Sequence, residues 1–389
     1  MKKIIFGITG LTLGGAERVL VDTANALAEK YDITIFTIYS KGELEDELDK
    51  RVNVVSLYDF KYEQMSKLKK ILIPLRVLLF KKQIFNKYVG SENYDTHISF
   101  LEGPVTRIFS TKSKSKKIAW IHNDMSKVFG SGWKAKLKRI FDRNIYERYD
   151  TLVFVSIDNL DKFNKIYDDM DLPHETVIYN YIDSERILEL SSKDEDAKKI
   201  FKDSELNILQ VSRLVEQKGI DRLIKVHAKL INEGYKHHIF IIGDGPLRDQ
   251  LEKQIKEYDV EKTFTLLGSK NNPYEYMKNA DAVCLFSKFE GYPMVIEEAK
   301  ILRKPILTTN TSSREVLANY PGYNVIVKND EEGIENAIKS LNKDRIKLNE
   351  ENNNYSYANK KVIDKIIKTI EQTKKKKKIK VLWKDEKWK

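Results

Sequence analysis

Short apolar runs rich in β-branched and aromatic residues recur along this chain, each separated from the next by a longer amphipathic stretch. Runs of that length without in-and-out alternation are strands covered on both faces, which predicts parallel sheets flanked by helices. The first series opens at Met1 to Ile8. After the helical stretch Ala16 to Tyr31 it continues through Ile33 to Ile38, Val54 to Leu57, Thr96 to Phe100, Lys117 to Ile121 and Leu152 to Ser156. Beyond Val177 to Asp183 the pattern dissolves into a charged stretch, Ser191 to Asp196, with no strand signal. A second series then starts: Leu206 to Val211, His238 to Gly243, Phe264 to Leu267, Ala282 to Phe286, Pro305 to Thr308 and Asn324 to Val327.

A chain of 389 residues is longer than one hydrophobic core usually serves, so the two series predict two α/β domains. The boundaries expected are 1–183 for the first domain, 184–205 for a linker and 206–354 for the second. A helix at about 355–372 is expected to pack back on the first domain, with a polybasic tail at 373–389. Ligands of open parallel sheets sit beyond the carboxyl ends of the strands, so two such sheets facing each other predict a shared central cleft.

Composition excludes several classes of protein. With 41% hydrophobic and 33% charged residues the chain is neither disordered nor membrane-embedded. The single cysteine, Cys284, stands in an apolar run and reads as a small core residue, so no disulfide forms within the chain. Glycines 10, 14 and 15 and Glu17 end the first apolar run too early for a signal peptide, which implies a cytoplasmic protein. The net charge of +11 is unevenly spread. Residues 61–88 carry eight basic and one acidic side chain, residues 110–148 eleven and three, and residues 373–389 nine and two. A basic face suited to an anionic surface or a phosphate-bearing substrate follows.

Four segments could carry chemistry. The strand Ala282 to Phe286 leads into Phe289-Glu290-Gly291-Tyr292-Pro293-Met294-Val295-Ile296-Glu297-Glu298. Pro293 suits the first turn of a helix, where the free N–H groups of Met294 and Val295 make an anion site. Glu290 and Glu298 would bracket whatever lies there, one gripping a sugar and the other a ribose. A second strand, Ile208 to Val211, delivers Arg213 and then Lys218, two cations suited to a diphosphate. The third segment, Gly10 to Glu17, is a glycine loop between the first strand and first helix, where Gly14 and Gly15 let backbone approach a ligand. It fits neither the dinucleotide fingerprint nor the P-loop pattern. In the fourth, His122 ends a strand and can hydrogen-bond a sugar hydroxyl without titrating. No histidine or cysteine spacing predicts a metal site, and the acidic triplets Asp169-Met170-Asp171 and Asp194-Glu195-Asp196 read as solvated turns.

Together these features resemble the retaining glycosyltransferases of family four, the group 1 glycosyl transferases with the GT-B fold, over roughly residues 2–372. The most specific part is Glu290 and Glu298 with seven residues between them. Val211-Ser212-Arg213-Leu214-Val215 with Lys218 and Gly219, then Gly243-Asp244-Gly245-Pro246, Gly14-Gly15-Ala16-Glu17-Arg18 and Asn180-Tyr181-Ile182-Asp183 support it. The resemblance implies an acceptor-side first domain and a second domain that binds a nucleotide sugar. It implies that Arg213 and Lys218 neutralise the donor diphosphate, that Glu298 binds the ribose and that Glu290 faces the transferred sugar. Backbone amides of Gly291, Tyr292, Pro293-Met294 and Val295, with Gly243 behind them, would hold the donor. Gly14 and Gly15 would close over it, and His122 would contact the sugar from the acceptor side. No protein nucleophile, metal or cofactor is expected beyond the nucleotide sugar itself. Tyr292 and the loop Thr311 to Glu315 depart from the pattern of many relatives, which leaves the donor sugar open.

The segment Met65 to Lys82 mixes apolar and basic residues without acids. It reads either as an interfacial helix, kinked at Pro74, or as an amphipathic helix packed on the first domain. With the basic, tryptophan-bearing stretch 374–389 it points to an anionic membrane surface, and no nucleic-acid module is recognisable. The function expected is transfer of a hexose or N-acetylhexosamine from a UDP-sugar to a polyprenyl-diphosphate-linked saccharide. The work would be done at the inner face of the cell membrane, in surface polysaccharide or glycoconjugate biosynthesis. Alternatives are a transferase or glucan synthase with a soluble acceptor, and a non-catalytic nucleotide- or phospholipid-binding module of the same fold.

Overall fold

A computed structural model describes all residues except 62–64, 129–138, 141, 143, 169, 194–195, 202–205, 319, 343–358 and 373–389. The chain divides into two compact units, Met1–Ile182 with Lys360–Lys389, and Asp183–Asn359. The tail 373–389, the acidic residues 169, 194 and 195, and the stretch 343–358, where the expected second domain ends and the last helix was expected to begin, lie outside the described residues.

The first unit holds a seven-stranded sheet in the order β3-β2-β1-β4-β5-β6-β7. Its strands are β1 (Lys2–Ile8), β2 (Tyr31–Tyr39), β3 (Asn53–Tyr58), β4 (Thr96–Ser99), β5 (Lys116–Ile121), β6 (Thr151–Phe154) and β7 (His174–Val177). Every pairing is parallel. The middle strands are apolar on both sides because helices cover both faces, so Ile4, Ile5, Phe6 and Ile8 are all fully buried in β1. The edge strand β7, His-Glu-Thr-Val, escaped the sequence reading because its half-buried residues show no apolar run.

The second unit holds a six-stranded parallel sheet in the order β10-β9-β8-β11-β12-β13. These strands are β8 (Leu206–Val211), β9 (His237–Ile242), β10 (Phe264–Gly268), β11 (Ala282–Leu285), β12 (Ile306–Thr309) and β13 (Asn324–Val327). Cys284 is fully buried in β11, where burial pushes its thiol well above the usual range and leaves it an inert core group. In each sheet the direction of winding reverses once, between β1 and β4 and between β8 and β11. At such a reversal the loops after the two strands diverge and leave a crevice at their carboxyl ends.

Two elements differ from the sequence expectation. Residues 184–205 were expected to be a linker, yet they hold the helices Ser184–Ser191 and Ala197–Ile200 and belong with the second unit. Asp183 caps the first of these by accepting from the Arg186 N–H, and Ile187 is fully buried, so capping and one apolar anchor outweigh the charged composition. The helix Lys67–Tyr88 runs through Pro74, and its backbone leaves helical geometry at Phe80, where φ is −109° and ψ is 18°. Ile73, Val77, Ile84 and Phe85 pack inward, while Leu72, Leu75, Leu78, Leu79 and Phe80 stay exposed.

The helix Asn359–Glu371 lies in the first unit. Lys116 Nζ donates to the carbonyls of Thr369, Ile370 and Gln372, supplying the positive charge that the carboxyl end of a helix attracts. The Tyr31 hydroxyl donates to Glu371 at 2.8 Å.

Candidate active site

In the second unit the candidate residues collect at the reversal between β8 and β11. Past β8 the chain runs through Arg213 into the 3-10 turn Glu216–Lys218 and then Gly219, whose φ of +63° suits glycine. A side chain at Gly219 would lie 2.6 Å from the Phe286 carbonyl oxygen, so the absence of one is what lets this turn close on the segment after β11. Lys218 Nζ donates to Glu290 Oε1 at 2.6 Å, and both side chains are largely buried, 16% and 7% exposed. Gln217 Nε2 donates to the Phe289 carbonyl at 2.9 Å and approaches Glu290 Oε2 at 3.5 Å. Arg213 is exposed, and its guanidinium makes no hydrogen bond or ion pair with the described residues. A held ammonium and a guanidinium open to solvent thus stand on one connection, the arrangement that receives an anion.

The helix after Glu290 runs Met294–Ile301, with Pro293 as its N-terminal cap residue rather than inside its first turn. The amides of Met294 and Val295 remain at its positive end. Tyr292 is buried, and its hydroxyl donates to Glu297, which also pairs with Lys300 at 2.9 Å. The Tyr292 ring therefore faces the interior. Glu298 is half-buried and accepts from the Tyr274 hydroxyl at 3.3 Å, while Arg186 stacks 5.6 Å from the Tyr274 ring centre. Gly243 ends β9 with φ of +139°, and a Cβ there would stand 2.0 Å from the Ser212 carbonyl oxygen. That close approach locks the Gly243 turn against the strand end that carries Arg213.

In the first unit Gly14 caps the helix Gly15–Leu27, and a Cβ on Gly14 would collide with Glu17 Oε2 at 2.2 Å. The Glu17 carboxylate is the end of a flexible side chain that can turn aside, and Gly14 has an extended backbone, so its own helix does not require glycine here. His122 follows β5, is 8% exposed and packs against Phe100 with ring centres 4.8 Å apart and the rings tilted by 48°. Burial pushes its imidazole down to about 3, so it is neutral at physiological pH, and its Nε2 has no hydrogen-bond partner among the described residues. Glu102, after β4, accepts from the Asn123 amide N–H at 2.7 Å and from the Asn123 side chain at 3.1 Å, and burial raises its carboxyl above the usual range. Among the described residues no group of three or more His, Cys, Asp or Glu side chains gathers as a metal site would.

The structure thus brings Lys218 and Glu290 into contact, sets Glu298 beside Tyr274, and keeps His122, Gly14 and Gly15 on the first unit. Sequence reading passed over Gln217, Tyr274 and Glu102. Gln217 adjoins Lys218 and could have been found there, whereas nothing local marks Tyr274 as a partner of Glu298.

Two parallel-sheet units of this kind, with basic and acidic side chains at the reversal of the second sheet, have the GT-B fold. Residues 191–362 match the model of the glycosyl transferases group 1. The chain is similar to N-acetylgalactosamine-N,N'-diacetylbacillosaminyl-diphospho-undecaprenol 4-alpha-N-acetylgalactosaminyltransferase of Campylobacter jejuni, with 24% identity over 94% of this chain and 97% of that one. It is also similar to the same organism's GalNAc-alpha-(1->4)-GalNAc-alpha-(1->3)-diNAcBac-PP-undecaprenol alpha-1,4-N-acetyl-D-galactosaminyltransferase, with 26% identity over 90% of each. Among solved structures, Anabaena Alr3699/HepE in complex with UDP and glucose shares the fold, with a TM-score of 0.68, 17% identity and coverage of 95% of this chain and 99% of that one.

Proposed function

We propose that this protein moves a hexose or N-acetylhexosamine from a UDP-sugar to a polyprenyl-diphosphate-linked saccharide, retaining anomeric configuration and using no metal. The product would enter a surface polysaccharide or glycoconjugate, and the work would be done at the inner face of the cell membrane. The observation that carries the reading is the Lys218–Glu290 contact at the reversal between β8 and β11, with Arg213 open beside it. Relatives named for undecaprenol-linked acceptors and a structural neighbour holding UDP support the choice of substrates.

In this reading the bond from the sugar's anomeric carbon to the β-phosphate oxygen breaks as negative charge grows on the diphosphate. Arg213, Lys218 and the amides of Met294 and Val295 meet that charge. The acceptor hydroxyl attacks from the same face and passes its proton to the departing phosphate oxygen, so no protein nucleophile is needed. Glu290 orients Lys218 and faces the sugar, and Glu298 and the Gly291–Val295 backbone hold the rest of the donor. The neutral His122 offers Nε2 to a sugar hydroxyl. Exposed Leu72, Leu75, Leu78 and Leu79, with Arg76, Lys81 and Lys82 on the same helix, support docking of the first unit at an anionic leaflet.

The test is mass spectrometry after incubation with a panel of nucleotide sugars and a polyprenyl-diphosphate-linked saccharide. A product heavier by one hexosyl or N-acetylhexosaminyl group is expected, and its formation should survive a chelator. Lys218→Ala should lower kcat by about 100-fold or more and weaken UDP binding, because a cation facing developing charge is lost. No product with any donor, or wild-type rates from Lys218→Ala, would overturn the reading.

A further inference from the structure

Between β11 and the helix Met294–Ile301 the chain has no ladder to join, yet its carbonyls are not left to solvent. Arg222 donates to the Phe286 carbonyl at 2.6 Å, and Thr309 Oγ1 donates to the Ser287 carbonyl at 2.7 Å. Asn329 Nδ2 donates to the Lys288 carbonyl at 2.9 Å, and Gln217 Nε2 to the Phe289 carbonyl at 2.9 Å. The four consecutive carbonyls ahead of Glu290 are thus each taken by a side chain, from four separate parts of the second unit. The donors are also joined to one another: Arg222 reaches the Asn329 carbonyl at 3.2 Å and its Oδ1 at 2.5 Å, and the Lys288 N–H returns a bond to the Gln217 carbonyl at 2.7 Å.

The carbonyls of buried Phe286 and Ser287 need partners in any case, but half-buried Lys288 and Phe289 could give theirs to water, and they are met by side chains all the same. Fixed side-chain donors on each carbonyl hold the backbone of Glu290 relative to Lys218, the next side chain along from Gln217. Catalysis that depends on charge placed in advance is sensitive to displacements of about 1 Å. We propose that Arg222 and Asn329 are positioning residues for Glu290, acting through the Phe286 and Lys288 carbonyls and touching no substrate. The proposal rests on the functional reading above.

Asn329→Asp is the discriminating variant. It keeps the acceptor for the Arg222 guanidinium, and so the tie between the β13 loop and the helix Ile220–Asn232, but replaces the donor to the Lys288 carbonyl by an oxygen. The expected result is a kcat at least 10-fold below wild type, a donor KM within about 3-fold and an unfolding midpoint close to wild type. Thr309→Val, which removes the bond to the Ser287 carbonyl, should act in the same direction. The double variant should lose less than the product of the two single losses, because both bonds fix one segment. Arg222→Lys keeps one donor for the Phe286 carbonyl and should recover part of the turnover that Arg222→Ala loses. If the wild type turns over a donor and Asn329→Asp keeps wild-type kcat, the positioning role is refuted. A fall in kcat matched by an equal loss of folded protein refutes it too. If the wild type turns over no donor, the functional reading fails first and separately.

Discussion

Burial holds His97, His122, His227 and His237 neutral, and each adds to a pH dependence of stability that the paired His227 and His237 illustrate. His227 and His237 share a hydrogen bond of 2.9 Å inside the second unit, and His227 also bonds Thr263. Burial is the larger cause in both and pushes them to about 2 and about 4, far below the ordinary value of 6.5. Because the folded-state values are depressed, the unfolded chain takes up protons first. The stability they support is complete above about pH 6.5 and is lost as pH falls through the window below it. Each should cost roughly 1 kcal/mol between about pH 7 and pH 5.5. Thermal unfolding followed across that interval should show the midpoint falling, and a flat profile would contradict the assignment. At the same scale, Glu290, Lys218, Arg213 and Glu298 were legible in the sequence because each lies just after a strand signal. The partners Tyr274 and Glu298 were not linked, since their contact joins residues from separate elements and leaves no local periodicity.

Elements show how a single helix serves two environments. Along Lys67–Tyr88 the inward residues Ile73, Val77 and Ile84 leave Leu75 and Leu79 50% and 65% exposed. One face of this segment therefore packs inward, as the amphipathic-helix reading has it, and the other remains apolar and uncovered. A Leu75→Glu and Leu79→Glu double variant should fold as wild type, because neither side chain supports the core, and should lose most flotation with vesicles containing anionic lipid. Undiminished flotation would detach the helix from the membrane reading. Pro74 marked the wrong point for the kink, since the departure from helical geometry falls at Phe80. Proline's local cost was readable from sequence, and where the packed helix gave way was not.

On the scale of the molecule, the last described helix returns to the first unit after the whole second unit has been built. Ile366 and Ile370 are 1% and 3% exposed there, and Lys116 holds the helix end. A chain ending at residue 358 should lose roughly 3–6 kcal/mol of stability in that unit from the two isoleucines alone. Trp120, buried in β5, would report it as an earlier unfolding transition in denaturant, and an unchanged midpoint would show that the helix is dispensable. What the amino-acid order determined by itself was the local grammar: which runs are strands, that they lie in two parallel sheets, and which charged residues fall at strand ends. These follow from periodicity and from residue types within a few positions of one another. Tertiary structure alone decided that Lys218 meets Glu290, that four distant side chains take the carbonyls before Glu290, and that Tyr292 turns inward. Such contacts join residues far apart in the chain, and their energies exist only once the sheet has brought those residues within hydrogen-bonding distance.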